Sequence, residues 1–222
     1  MSILVIAEHD NNELKSATLN TVTAAMEIGG QIDLLVAGLN CSQVAKEAKA
    51  IEGLNKILLA DNSFYKNFLA ENIGLLVSDI GKNYSHILAP ATSNGKNYMP
   101  RVAALLDVAQ ISDISAIVNS DTFERPIYAG NCIATVQSLD PIKVVTVRTT
   151  GFDACLKEGG SIEVENIDLE HDASVSKFIK EEIAKSDRPE LTAADVVISG
   201  GRGMQNGENF NLLNGIADKL GA

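Results

Sequence analysis

The residues of this chain best suited to chemistry lie near its carboxyl end, in Ser199-Gly200-Gly201-Arg202-Gly203, between an aliphatic run and a helical pattern. Glycines there permit φ > 0 and let backbone approach a ligand closely. The N-terminus of a following helix favours an anion such as a pyrophosphate. Arg202 can donate several hydrogen bonds to a phosphate or a ring oxygen. The same residues also suit an ordinary tight strand-to-helix turn, so by itself the segment leaves both readings open. A second candidate is Ala91-Thr92-Ser93-Asn94-Gly95-Lys96, after a predicted strand. Open α/β folds bind ligands at that end of the sheet. Its hydroxyls, glycine and Lys96 could hold a phosphate, although a polar loop capping a helix is the simpler reading.

Other chemistries find less support. The Ser-Gly-Gly-x-Asp-Ser loop of some ATP-pyrophosphatases is broken here, with Gly203 at the acidic position and Met204 after it. The place such a loop would take, after the first strand, holds the acidic turn Glu8-His9-Asp10-Asn11-Asn12, a poor phosphate cradle. His9, His86 and His171 stand apart, with no second ligand at metal spacing. His86 reads as packed beside its strand, and His171 as part of an acidic, solvated linker. No nucleophile-and-base pattern suggests hydrolysis or acyl transfer. Cys41, Cys132 and Cys155 are odd in number and widely spaced, which fits a reducing compartment rather than a disulfide framework.

The positioning elements follow from periodicity. Short aliphatic runs alternate with helical patterns, the signature of βαβ units and a mostly parallel sheet. Strands are predicted at Ile3–Glu8, Ile32–Ala37, Lys56–Ala60 and His86–Ala89. Helices are predicted at Leu14–Ile28, Cys41–Ala50, Phe64–Ile80 and around Pro100–Leu106, the first ended by Gly29-Gly30. After Ile111 the pattern changes. Ser115–Asn119, Pro126–Tyr128, Asn131–Gln137 and Lys143–Arg148 read as strands without intervening helices, hence as appended antiparallel structure. Val175–Ala184 reads as a charged amphipathic helix. Ser186-Asp187-Arg188-Pro189 is a polar break and the expected domain boundary. Val196–Ile198, the glycine turn, and a helix with Phe210, Leu213, Ala217 and Leu220 on one stripe make one further βα unit.

The charge balance is −11, and 45% of residues are apolar. A basic nucleic-acid footprint and attraction to an anionic membrane are both excluded as expectations, while an acidic surface suits docking to a basic partner. No apolar run approaches the roughly 20 residues of a membrane span. No signal-peptide pattern precedes Ile3, so a bacterial cytoplasmic location is expected.

Several segments together resemble one family. Gly95-Lys-Asn-Tyr-Met-Pro-Arg-Val-Ala-Ala-Leu-Leu-Asp-Val108, Ile111-Ser-Asp-Ile114, Arg125-Pro-Ile-Tyr-Ala-Gly-Asn131 and Val147-Arg-Thr-Thr-Gly-Phe-Asp-Ala154 are similar, in this order, to stretches of electron-transfer flavoprotein alpha subunits. Arg188-Pro-Glu-Leu-Thr192, Val196-Val-Ile-Ser-Gly-Gly-Arg-Gly203 and Gly207-Glu-Asn-Phe210 look like the opening of that family's FAD-binding domain. The resemblance implies an adenine-nucleotide-hydrolase-like, Rossmann-type N-terminal domain over residues 1–187 that packs on a beta subunit. It implies the start of an FAD-binding domain over 188–222, incomplete because family members continue well past Gly221. It also implies a non-enzymatic electron carrier, acting in fatty acid β-oxidation, which takes electrons from acyl-CoA dehydrogenases and passes them through FAD to a quinone oxidoreductase. Arg202, with Gly200, Gly201 and Gly203, is the implied FAD contact; no catalytic or metal-binding residue is implied. Weak or absent FAD binding is expected of these 222 residues alone. Residues after Pro189 are expected to be mobile, swapped with a neighbour or packed on another chain. An adenine-nucleotide-binding α/β module using residues 91–96, and a non-redox dimerisation scaffold, remain as alternatives.

Overall fold

The computed structural model describes residues 1–158, 162–182, 191, 194 and 196–222. The chain divides into two compact units, Met1–Phe178 and Ile179–Ala222.

Among the described residues the first unit is built on ten strands: β1 (Ser2–Ile6), β2 (Gln31–Gly38), β3 (Lys56–Asp61), β4 (His86–Pro90), β5 (Gln110–Ile114), β6 (Ala116–Asn119), β7 (Thr122–Ile127), β8 (Cys132–Gln137), β9 (Lys143–Val147) and β10 (Glu163–Asn166). Seven of them form one sheet in the order β10-β3-β2-β1-β4-β9-β5, with every pairing parallel. Four helices cover it: α1 (Ser16–Ile28), α2 (Ser42–Ala48), α3 (Ala70–Gly81) and α4 (Ser93–Leu106). Alternation along the strands divides the core. Ile3 and Val5 face the layer of α1 and α2, where Leu19, Val22 and Val44 pack. Leu4 and Ile6 face α3 and α4, where Leu76, Val77 and Val102 pack. The near-continuous apolar runs in β1, β2 and β4 are what a parallel sheet covered on both faces requires.

The remaining strands make a small antiparallel sheet, β6-β7-β8. Phe123 on β7 is fully buried and joins it to the core shared with α1. Lys143–Val147 departs from expectation. It lies between β4 and β5 in the parallel sheet rather than in the antiparallel region. Its Val144, Val145 and Val147 are buried, and burial on both faces needs the central sheet. The edge strands β5 and β10 were not foreseen from periodicity.

Two predicted helices change as well. Phe64–Ile80 is split into a 3-10 turn at Ser63–Tyr65, capped by the Asn62 side chain, and α3 from Ala70. Phe68, at φ +52, separates them. Residues 175–182 of the predicted Val175–Ala184 helix are not helical; residues 183 and 184 lie outside the described residues. The preceding segment follows other bonds. Buried Tyr65 donates its hydroxyl to Leu169 O at 2.7 Å and accepts from the His171 amide at 3.2 Å. Asn72 Oδ1 accepts from the Ala173 amide at 2.9 Å. The predicted break at 186–189 also lies outside the described residues.

In the second unit, the glycine turn leads to a 3-10 turn at Arg202–Met204, then to another at Gly207–Phe210, and only then to α5 (Asn211–Leu220). Val196–Ile198, expected as a strand, carries no ladder. A strand exists through its hydrogen-bonded neighbours, and none is present among the described residues of this unit. On the α5 stripe Ala217 is buried and Leu213 half-buried, whereas Phe210 and Leu220 are exposed. No helix among the described residues is long and apolar enough to cross a membrane.

Candidate functional site

The parallel sheet has a topological switch between β1 and β4, the place where such folds hold ligands beyond the strand carboxyl ends. The loop after β1 carries Glu8 and His9, and the loop after β4 carries Thr92 at the N-cap of α4. The Thr92 hydroxyl accepts from the Gly95 amide at 3.3 Å. Gly95 is needed there, because a Cβ would stand 2.0 Å from Pro90 O. Asn94 Nδ2 reaches Glu8 Oε1 at 3.4 Å. A carboxylate therefore already occupies the electropositive start of α4. Burial raises the Glu8 carboxyl above the usual carboxylate range, against the pull of Thr92, Asn94 and Lys15.

What remains at the switch point is small. Ile6, Phe68, Tyr98 and His9 close it to a cavity of about 20 Å³, room for about one water molecule. His9 is 4% exposed and packs edge-on against Phe68, with centroids 5.1 Å apart. Burial pushes its imidazole down to about 4, with Asp10 and the Ala37 carbonyl opposing. Nδ1 accepts the Asn11 amide at 3.0 Å, so the neutral ring carries its proton on Nε2. Lys96 is exposed and does not line the cavity. The segment 91–96 thus caps a helix, and the phosphate-binding reading finds neither the space nor the charge it needs.

The glycine turn differs in kind. Gly200 packs tightly, since a Cβ there would meet Met204 Cγ at 2.6 Å, Phe210 Cζ at 3.1 Å and Leu213 Cδ1 at 3.3 Å. At Gly201 and Gly203 a Cβ would meet nothing within 4 Å. Arg202 between them is exposed; its carbonyl accepts from the Gln205 amide at 3.0 Å, while its guanidinium makes no hydrogen bond or ion pair among the described residues. The next turn is fixed by Asn206, whose side chain accepts from the Glu208 amide at 3.1 Å and the Asn209 amide at 3.3 Å. Asn209 Nδ2 donates to Met204 O at 2.7 Å. The turn presents an open backbone face and one guanidinium, held from behind by Gly200 and from ahead by Asn206. The start of α5 is not adjacent to the glycines, contrary to expectation, so helix polarity adds less here than the sequence pattern suggested.

One buried polar arrangement went unremarked in the sequence. Asp33 Oδ2 accepts from Tyr84 Oη at 2.6 Å, and Asp33 Oδ1 from Asn55 Nδ2 at 2.9 Å. A lone Asp inside the apolar run Ile32–Val36 was the available signal. His86 bonds Ser120 O through Nε2 at 2.6 Å and Ser85 Oγ through Nδ1 at 2.9 Å, a structural role. No group of three or more His, Cys, Asp or Glu among the described residues could hold a metal ion.

Residues 3–172 match the family described as Electron transfer flavoprotein domain, and residues 190–222 match Electron transfer flavoprotein FAD-binding domain. Over all 222 residues the chain is 63% identical to the electron transfer flavoprotein subunit alpha of Pseudomonas aeruginosa, covering 72% of that protein. It is 46% identical to the corresponding subunit of Paracoccus denitrificans, again covering 72%. With the mitochondrial alpha subunit of Dictyostelium discoideum it shares 47% identity over 98% of this chain and 66% of that one.

Proposed function

The chain belongs to the electron transfer flavoprotein family as an alpha subunit, and from that premise we propose that Gly201, Arg202 and Gly203 hold part of a bound FAD. The observation carrying this is a coincidence of place. The FAD-binding family match spans the segment where, among the described residues, an exposed guanidinium stands between two glycines with free space over them. When bound, FAD supplies a ring that accepts and releases electrons. Arg202 would contribute charge-assisted hydrogen bonds to it, and the two glycines would let the backbone approach. Gly200 has a packing role instead, because its neighbours on Met204 and Phe210 leave no room for a side chain.

The role is that of an electron carrier rather than an enzyme with its own substrate chemistry. Its proposed partner in assembly is the beta subunit. The proposed donors are acyl-CoA dehydrogenases, the proposed acceptor is a quinone oxidoreductase, and the setting is the cytoplasm of a bacterium. The first unit serves as the partner-binding scaffold, with the boundary to the FAD-binding part near residue 187. The turn supplies one guanidinium and a short stretch of backbone, so residues 1–222 alone should hold FAD weakly. The acidic Glu8 at the start of α4 and the one-water cavity disfavour the nucleotide-binding alternative.

Co-expression with a beta subunit, followed by an absorbance spectrum of the purified complex, tests the reading. A flavin band that falls on Arg202→Ala is the expected result. Bound nucleotide without flavin would support the α/β-module alternative, and a colourless complex the scaffold alternative.

A further inference from the structure

Two polar atoms at the switch point are left over by the bonds described above. His9 is 4% exposed, and its Nε2 has no hydrogen-bond partner among the described residues. The Asn11 amide already occupies Nδ1 at 3.0 Å, so Nε2 carries the proton and is a donor. The Ala37 carbonyl lies near the ring but does not reach Nε2 in hydrogen-bond geometry. Glu8 Oε2 is also buried and without a partner among the described residues. Oε1 of the same carboxyl takes Asn94 Nδ2 at 3.4 Å, and Thr92 lies near without bonding Oε2. Buried donors and acceptors are nearly always satisfied, by protein or by ordered water.

Glu8, His9 and Ala37 all line the cavity of about 20 Å³. One water needs roughly 10–15 Å³ of such space and two to four polar partners. The volume therefore admits one water and nothing the size of a phosphate or a nucleotide base. Ile6, Phe68 and Ile73 add apolar wall, so a polar atom left unbonded here would bear the full cost of losing its solvation.

We propose that this cavity is the binding site of a single structural water, which accepts from His9 Nε2–H and donates to Glu8 Oε2 and to the Ala37 carbonyl. The set of donors and acceptors selects the ligand. A metal ion or an ammonium ion would suit the two oxygens but would face the His9 proton. An anion would suit that proton but would meet a carboxylate. A water supplies a lone pair for the donor and two protons for the acceptors. So placed, it ties the loop after β1 to β2, while Glu8 Oε1 carries the connection on to Asn94 at the start of α4. This water stands apart from the FAD contact proposed at residues 201–203, and neither depends on the other.

A crystal structure of the full chain near neutral pH, at a resolution that shows ordered waters, tests the site directly. One peak is expected in the cavity, with contacts of about 2.6–3.2 Å to His9 Nε2, Glu8 Oε2 and Ala37 O. A cavity without density, or a peak in reach of only one of the three atoms, overturns the proposal. A crystal soaked in rubidium chloride should show no anomalous signal there, and a signal would replace the water with a cation. The solution measurement is the nuclear Overhauser effect between water and the carbon-bound protons of Ala37 and Tyr98. Wild type should give cross-peaks with the sign of a long-lived contact. His9→Phe, which removes the donor and fills part of the space, should lose them. Absence of these cross-peaks in wild type, or their persistence in a folded His9→Phe, overturns the assignment.

Discussion

His9 Nδ1 accepts the amide of Asn11 at 3.0 Å, and through Asn11 one imidazole fixes three loops. Asn11 sits at φ +73, donates from Nδ2 to Lys66 O and accepts the Leu39 amide at Oδ1. Protonation of His9 removes the Nδ1 acceptor and buries a charge. The folded pKa is depressed to about 4 from 6.5, so between these values the unfolded chain binds the proton and the folded chain does not. Stability is therefore complete above about 6.5 and falls as pH drops towards 4, by on the order of 3 kcal/mol. Glu8 works in the opposite sense. Its raised carboxyl favours the folded state at low pH and costs stability as pH rises through its folded value. Thermal melts of wild type and His9→Phe between pH 4 and 8 check this. The wild type should lose melting temperature on acidification more steeply than the variant, and parallel curves would refute the assignment.

Gly95 sets the seat of α4 on the sheet. An alanine Cβ at this position would lie 2.0 Å from Pro90 O, a backbone atom with little freedom to move. Gly95→Ala should cost about 1–3 kcal/mol or more through forced displacement of α4. Chemical denaturation should show a lower midpoint with an unchanged slope.

Tyr65 is fully buried, and its hydroxyl is bonded on both sides by the segment after β10. Removing it leaves Leu169 O and the His171 amide without their partner. Tyr65→Phe should cost about 1–3 kcal/mol, the range for a buried group left unsatisfied. Limited proteolysis reports the effect locally. Cleavage within residues 167–176 should accelerate in Tyr65→Phe, while cleavage elsewhere in the first unit stays at the wild-type rate.

The features legible in the sequence were those set by near neighbours along the chain. Ile3–Ile6, Leu34–Ala37 and His86–Ala89 are long enough apolar runs to demand a doubly covered sheet, and Gly29 stops α1 by its own backbone. What escaped depends on distant partners. Lys143–Val147 follows three antiparallel strands and a short polar link, so local spacing reads as another hairpin arm. Only its burial against β4 and β5 makes it parallel. Glu163-Val164-Glu165-Asn166 has no apolar run to betray a strand, because its edge position needs charge. Val196–Ile198 has strand composition but no ladder among the described residues. At the candidate site the glycine turn and Arg202 stood out by residue type. The filling of the switch point by Glu8 did not, since it depends on a contact with Asn94, 86 positions away.

The proposed FAD contact at Arg202 and the packing of Gly200 predict different outcomes for substitution. The Arg202 side chain is exposed and holds no neighbour in place, and Arg202→Ala keeps the carbonyl bonded to the Gln205 amide, so it should leave the melting temperature of the second unit unchanged. In the complex with the beta subunit it should lower FAD affinity by about ten- to a hundredfold, the loss of one or two hydrogen bonds to a charged group. Arg202→Lys keeps the charge but not the fork of donors, so its affinity should fall between the two. Gly200→Ala should behave differently. Its Cβ would crowd Met204 and Phe210, whose packing shapes the turn, so stability and flavin content should fall together. Flavin absorbance per complex, measured beside thermal melts for the three variants, distinguishes these outcomes. Full flavin retention by Arg202→Ala would remove Arg202 from the site, and an unchanged melt for Gly200→Ala would remove the packing role assigned to that glycine.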